Sequence, residues 1–178
     1  MVVGLTRHAY HVSIDREVSM SKWILIIIAM VGVVGCAPGY KEPVIDSTFS
    51  PYLDLIQDQA NTRGIYGNLT MVSSIEFGST PKGLAGYCYR KVDTQGYTRE
   101  ITIDREAWDN GSELYRVFLL AHEIGHCALD KSHNETMMVF KGVTVPASLM
   151  VPGTIYAARF AQFDVDLQAH YWNQFFTK

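Results

Sequence analysis

The order of periodicities along this chain predicts an α+β domain, with a few-stranded mixed sheet packed on one long apolar helix and a second helix at the C-terminus. Three observations predict it. A helical apolar stripe over residues 52–60 precedes three alternating stretches between residues 68 and 108. A long, strongly apolar helical stretch follows from residue 113. A further helical stripe closes the chain after Asp164. The 178 residues, 48% hydrophobic and 19% charged, suit one ordinary globular domain and leave little room for two.

The first 46 residues read as lying outside that domain. Residues 1–19 carry mixed charge and no apolar pattern, so translation is expected to start at Met20, with the upstream stretch a start-site artefact and His8 and His11 inert. Residues 20–35 read as a signal peptide: Lys22 is a basic flank and residues 23–34 are apolar. That core is about a dozen residues, short of the ~20 that span a bilayer. It ends in VVGC, residues 33–36, which resembles a bacterial lipobox, with Val33 where leucine is usual. Cys36 is then the expected lipidation site; the alternative is an ordinary secretory leader with an incidental cysteine. Residues 36–46 would be a short tether, and the domain proper would span residues 47–178. The expected location is the cell envelope, lipid-anchored on the periplasmic side of an outer membrane. If Cys36 carries lipid, Cys88 and Cys127 remain of the 3 cysteines. Export places that pair in an oxidising compartment, which favours a disulfide over two buried thiols.

Within the domain, Ser50 before Pro51 predicts a helix start, with Ser50 as N-cap. Tyr52, Leu53, Leu55, Ile56 and Ala60 form its stripe, and Gly64 ends it. Leu69, Met71, Ser73, Ile75 and Phe77 alternate onto one face and predict a strand. LAGYCYRKV predicts a second strand, and YTREITIDREAW a third with Ile101 and Ile103 on one face. Ser112 is placed to cap the long helix, where Leu114, Phe118, Ala121 and Gly125 mark one stripe and Leu119 and Leu120 widen it. The stretch holding Gly142 and Pro146 reads as a loop. Phe163, Leu167, Tyr171 and Phe175 then recur every four residues, a terminal helix with Asp164 near its start. The net charge of −3 and the absence of a basic run exclude a surface that tracks nucleic-acid phosphates.

The chemistry concentrates in HEIGHCALDKSH, residues 122–133. His122 and His126 are four apart, so on a helix both imidazoles project from one face, one turn apart. That spacing lets two nitrogens reach one tetrahedral zinc. Glu123 sits beside the first ligand, where its carboxylate can take a proton from the water that zinc activates. With 6 His and eight Glu in the chain, chance supplies roughly 0.01 such H-E-x-x-H matches. The alternative is a structural histidine pair, expensive to bury in so apolar a helix.

A catalytic zinc usually has three protein ligands and one open position. Glu135 is the only glutamate after Glu123, so a helix-borne distant glutamate is absent. Asp130 would share the helix face but lie ~12 Å along the axis from His122, unless the helix ends first. His133 lies beyond the expected helix end and can fold back, so it is the first choice. His170, on the terminal helix, ranks lower. Cys127 points about 100° round the helix from its neighbour His126 and off the metal. Pairing it with Cys88 would tie the helix to the second strand.

HEIGH, His133 and the later Ser148-Leu149-Met150 resemble the metzincin clan of zinc proteases. There HExxHxxGxxH bends at its glycine, and a Met-turn forms a floor under the metal. ITIDREAW, AHEIGHCALDKSHN, PASLMVP and the aromatic C-terminal helix resemble a group of small bacterial lipoprotein and phage-associated metallopeptidases. The resemblance covers roughly residues 101–176. It implies a small metzincin-like domain with one catalytic zinc on His122, His126 and His133, Glu123 as general base and Met150 in the Met-turn. It also implies a peptide or protein substrate, held by main-chain hydrogen bonds along an edge strand. Two departures stand out: Leu129 occupies the bend-glycine position, and the third histidine comes one residue late. The smaller group shares that late histidine. Tyr156, six past Met150, is a weak candidate to stabilise an oxyanion. The alternative from another class is a zinc-stabilised envelope lipoprotein without turnover.

Overall fold

A computed structural model describes residues 42–66, 69, 72–93, 96–153 and 155–177, excluding the side chains of Asp93, Ile155 and Tyr156. The expected signal peptide, Cys36 and the Tyr156 side chain therefore lie outside the described residues. The compact unit spans Lys41–Lys178. Among the described residues no helix is long and apolar enough to cross a membrane.

The architecture is α+β, as the periodicities predict. Strand β1 (Val44–Ile45) leads through a 3-10 turn (Ser47–Phe49) into helix α1 (Ser50–Asn61). Strands β2 (Ser74–Phe77), β3 (Gly86–Asp93) and β4 (Gly96–Ile103) follow. Helices α2 (Arg105–Asp109) and α3 (Glu113–Cys127) precede a hairpin of β5 (Met137–Phe140) and β6 (Val143–Pro146). Helices α4 (Ile155–Ala161) and α5 (Val165–Phe176) complete the chain. The sheet is mixed, in the order β1-β2-β4-β3. β1 and β4 flank β2 in parallel, and β3 pairs antiparallel with β4, Cys88 opposite Ile101 and Arg90 opposite Arg99. β3 is thus an edge strand.

Several elements differ from the sequence reading. Val44–Ile45, within the expected tether, bonds to β2 as a two-residue strand too short to leave a periodic trace. Ser50 is the first residue of α1 rather than its cap; Asp46 accepts from Thr48 N at 2.9 Å and caps the 3-10 turn instead. REAW leaves the third strand for α2, because Asp104 accepts from Ala107 N at 2.8 Å and starts a new helix. The expected loop around Gly142 is a hairpin whose two turn residues, Lys141 (φ 47) and Gly142 (φ 82), are both left-handed. That geometry suits the right-handed twist of paired strands. Phe163 falls outside α5 and is 89% exposed.

The core forms between the sheet and α3. Ile75, Ile101 and Ile103 of the sheet and Phe118, Leu119, Leu120 and Ile124 of α3 are buried together in one core. Each such side chain stabilises the fold by roughly 1.5–3 kcal/mol, enough together to offset polar groups buried on the same helix. On the far side, Tyr171 and Trp172 of α5 meet Phe118 edge-on, at centroid separations of 5.9 and 5.8 Å. Ser112 accepts from Tyr115 N and Asp164 from Leu167 N, so both helices carry the caps their sequences predict.

Cys88 and Cys127 form a disulfide that links β3 to the last residue of α3. It closes 39 residues of chain. Loop-closure entropy puts its contribution at roughly 4 kcal/mol. The double variant Cys88→Ser/Cys127→Ser is expected to lose about that much in urea unfolding. A midpoint equal to the wild type would show that the link adds nothing to stability.

Candidate metal centre

Helix α3 supplies two imidazoles and a carboxylate, and the chain beyond it supplies a third imidazole. His122, His126 and His133 each offer a nitrogen, and these nitrogens lie within 4.8 Å of one another. The set can hold a metal ion. His122 is buried, His126 partly buried and His133 exposed, so the group opens to solvent on one side.

The tautomers support that reading. His122 Nδ1 lies 2.8 Å from the Leu149 carbonyl, and His126 Nδ1 lies 2.7 Å from the Lys131 carbonyl. A carbonyl only accepts, so both Nδ1 atoms must carry the proton. Each Nε2 is then a lone pair. Yet the two Nε2 atoms stand 3.0 Å apart, with His133 Nε2 at 3.3 Å from that of His122. Burial holds the His122 imidazole down at about 4 and lowers that of His126, which favours the neutral, metal-binding form of both rings. Ring nitrogens facing one another in this way can hold a cation between them. Carbonyls on the outer nitrogens are the usual way to orient metal-binding imidazoles.

The other candidates face elsewhere. Asp130 pairs with Arg90 at 2.6 Å and with Arg99 at 3.4 Å. His170 Nε2 lies 3.2 Å from the Ala147 carbonyl. Cys127 is in the disulfide. Helix α3 ends at Cys127, and Asp130 adopts a left-handed φ of 53. The turn expected at the position of Leu129 is thus made one residue later, and the third histidine is later by the same one residue.

The Ser148-Leu149-Met150 turn lies under the site. Ser148 Oγ accepts from Met150 N at 3.1 Å, and Met150 is 2% exposed. Met150 packs on Gly125, one residue before His126: a Cβ there would stand 2.5 Å from its sulfur. Glycine at 125 is what admits the Met150 side chain. The carbonyls of Leu149 and Lys131 escape sequence reasoning, because a backbone atom leaves no residue-type signature. Gly86 likewise carries no signal of its place in the site, although a Cβ there would stand 2.6 Å from Glu123 Oε1.

Glu123 is buried and lines a cleft of about 500 Å³ together with the three histidines, Tyr115, Leu119 and residues 83–88. Burial pushes its carboxyl up to about 8. In the metal-free protein this penalises folding increasingly as pH rises from 4.5 through 8, since the unfolded carboxyl ionises first. His122 acts oppositely: its depressed value gives stability that is present above 6.5 and lost as pH falls toward 4. The slopes oppose below pH 6.5, and above it only Glu123 continues. Metal-free stability should therefore fall between pH 6.5 and 8. The neutral, isosteric Glu123→Gln should remove that fall and be roughly 2–4 kcal/mol more stable at pH 8. Urea midpoints in chelator check this; a wild type whose stability is flat from pH 6.5 to 8 contradicts it.

No protein-family model, curated protein or solved structure matches the chain.

Proposed function

We propose that this chain is a zinc-dependent peptidase of metzincin type, exported and lipid-anchored through Cys36, acting on a peptide or protein substrate. The observation that carries the reading is the set of three converging imidazoles with Glu123 beside them in an open cleft. Three nitrogen ligands with one side open is the arrangement of catalytic zinc, whereas structural zinc is closed by four protein ligands and favours cysteine. When bound, zinc supplies a Lewis acid and brings a water's pKa to about 7.

The chain's own residues do the rest. Glu123, beside the first ligand of the H-E-x-x-H pair and lining the cleft, would take the proton from the attacking water and pass it to the leaving amine. Residues 86–88 of the edge strand β3 line the cleft, and the strand's outer edge would take an extended peptide. Met150 fills the floor. Asp130 takes the bend that a glycine makes in the larger clan, and in both cases two residues lie between the bend and the last histidine.

The test is cleavage of casein and a broad peptide library by the wild-type protein. Activity should vanish in chelator and return with added zinc. One zinc bound per chain with no cleavage of any peptide would overturn the reading in favour of a non-catalytic, zinc-stabilised lipoprotein.

A further inference from the structure

Three alternate residues of β3 meet the site helix and its exit. Gly86 abuts Glu123, Cys88 is bonded to Cys127, and Arg90 Nη1 reaches Asp130 Oδ1 at 2.6 Å. Arg99, opposite Arg90 on β4, completes the contact. Its Nη2 lies 3.4 Å from Asp130 Oδ2, and its Nη1 donates to the Ala128 carbonyl at 3.2 Å. Arg99 thus holds the end of α3 and the first residue that turns away from it.

Asp130 is the pivot of that turn. It is left-handed at φ 53, a conformation that side chains other than glycine, asparagine and aspartate seldom adopt. Lys131 follows: its N–H donates to the Gly125 carbonyl at 2.9 Å, and its carbonyl accepts from His126 Nδ1 at 2.7 Å. Two residues further on, His133 enters the cluster. The direction of the chain at Asp130 therefore governs both the orientation of His126 and the arrival of His133.

We infer that Asp130, clamped by Arg90 and Arg99, is a positioning residue that sets the geometry of the metal centre. The inference rests on the zinc-site reading above. Exposed ion pairs add little to global stability, and Arg90 and Asp130 are 44% and 56% exposed. The clamp's effect is on the site rather than on the fold.

Zinc affinity, measured by competition with a chromophoric chelator, separates the possibilities, with the visible spectrum of the Co2+-loaded protein as a second readout. Arg90→Gln is the decisive variant, since an exposed edge-strand residue is replaceable without unfolding. Arg90 lines the same cleft as the histidines. Removing its positive charge would, by electrostatics alone, tighten the binding of a dication. Loss of the clamp instead weakens zinc binding by about 10-fold, the usual scale for an outer-shell partner, and alters the Co2+ band. Asp130→Gly keeps the left-handed turn but removes the carboxylate, and it should weaken binding similarly. The double variant Arg90→Gln/Asp130→Gly should be no weaker than the worse single one. Wild-type zinc binding with Arg90→Gln equal or tighter overturns the clamp alone, as does wild-type affinity in Asp130→Gly. A wild-type protein that binds no zinc overturns the site reading and the clamp with it.

Discussion

On the proposed reading, Glu123→Gln is expected to abolish turnover while leaving one zinc bound. Glu123 is the only carboxyl on α3 that lines the cleft beside the histidines. General acid–base catalysis is worth about 10²–10⁴-fold. In the proposed mechanism Glu123 moves the proton in both the attack and the departure, so a loss of at least about 10³-fold in kcat/KM is expected, or about 4 kcal/mol of transition-state stabilisation. Glutamine is isosteric and belongs to none of the converging ligands, so zinc content should stay at the wild-type value. Steady-state cleavage beside metal analysis checks both halves. Cleavage that survives with zinc bound would sink the role given to Glu123.

His133→Ala carries the second large effect. Outer-shell changes cost about 10–100-fold in metal affinity, and removing one of three direct ligands should exceed about 100-fold. His170→Ala is the internal control: its imidazole lies against the Ala147 carbonyl, and zinc affinity should not change. If His170→Ala weakened zinc while His133→Ala did not, the choice of third ligand would be reversed.

The centre was legible in the sequence wherever side-chain type carries the chemistry. His122, Glu123 and His126 declare themselves by spacing on an apolar helix capped at Ser112. Cys88 and Cys127 follow from the expected export, and His133 from reach beyond the helix end. What was hidden lies in the backbone. The carbonyls of Leu149 and Lys131 orient two imidazoles, and any residue could supply them. The left-handed turn at Asp130 is stabilised by Arg90 and Arg99, which lie 40 and 31 residues away. No local window contains both ends of that contact. In the fold, the hairpin at residues 137–146 was masked because Lys141-Gly142 only half resembles the Asn-Gly signal of a tight turn. Helix α2 was masked because its five residues are too few to show a helical stripe, and only the Asp104 cap betrays it.

Zinc K-edge absorption on the wild-type protein tests the central claim most directly. One zinc per chain, surrounded by three imidazole nitrogens and a remaining oxygen ligand, is the predicted result. A zinc shell that contains sulfur, a shell closed by a fourth protein ligand, or protein that retains no stoichiometric zinc would contradict it.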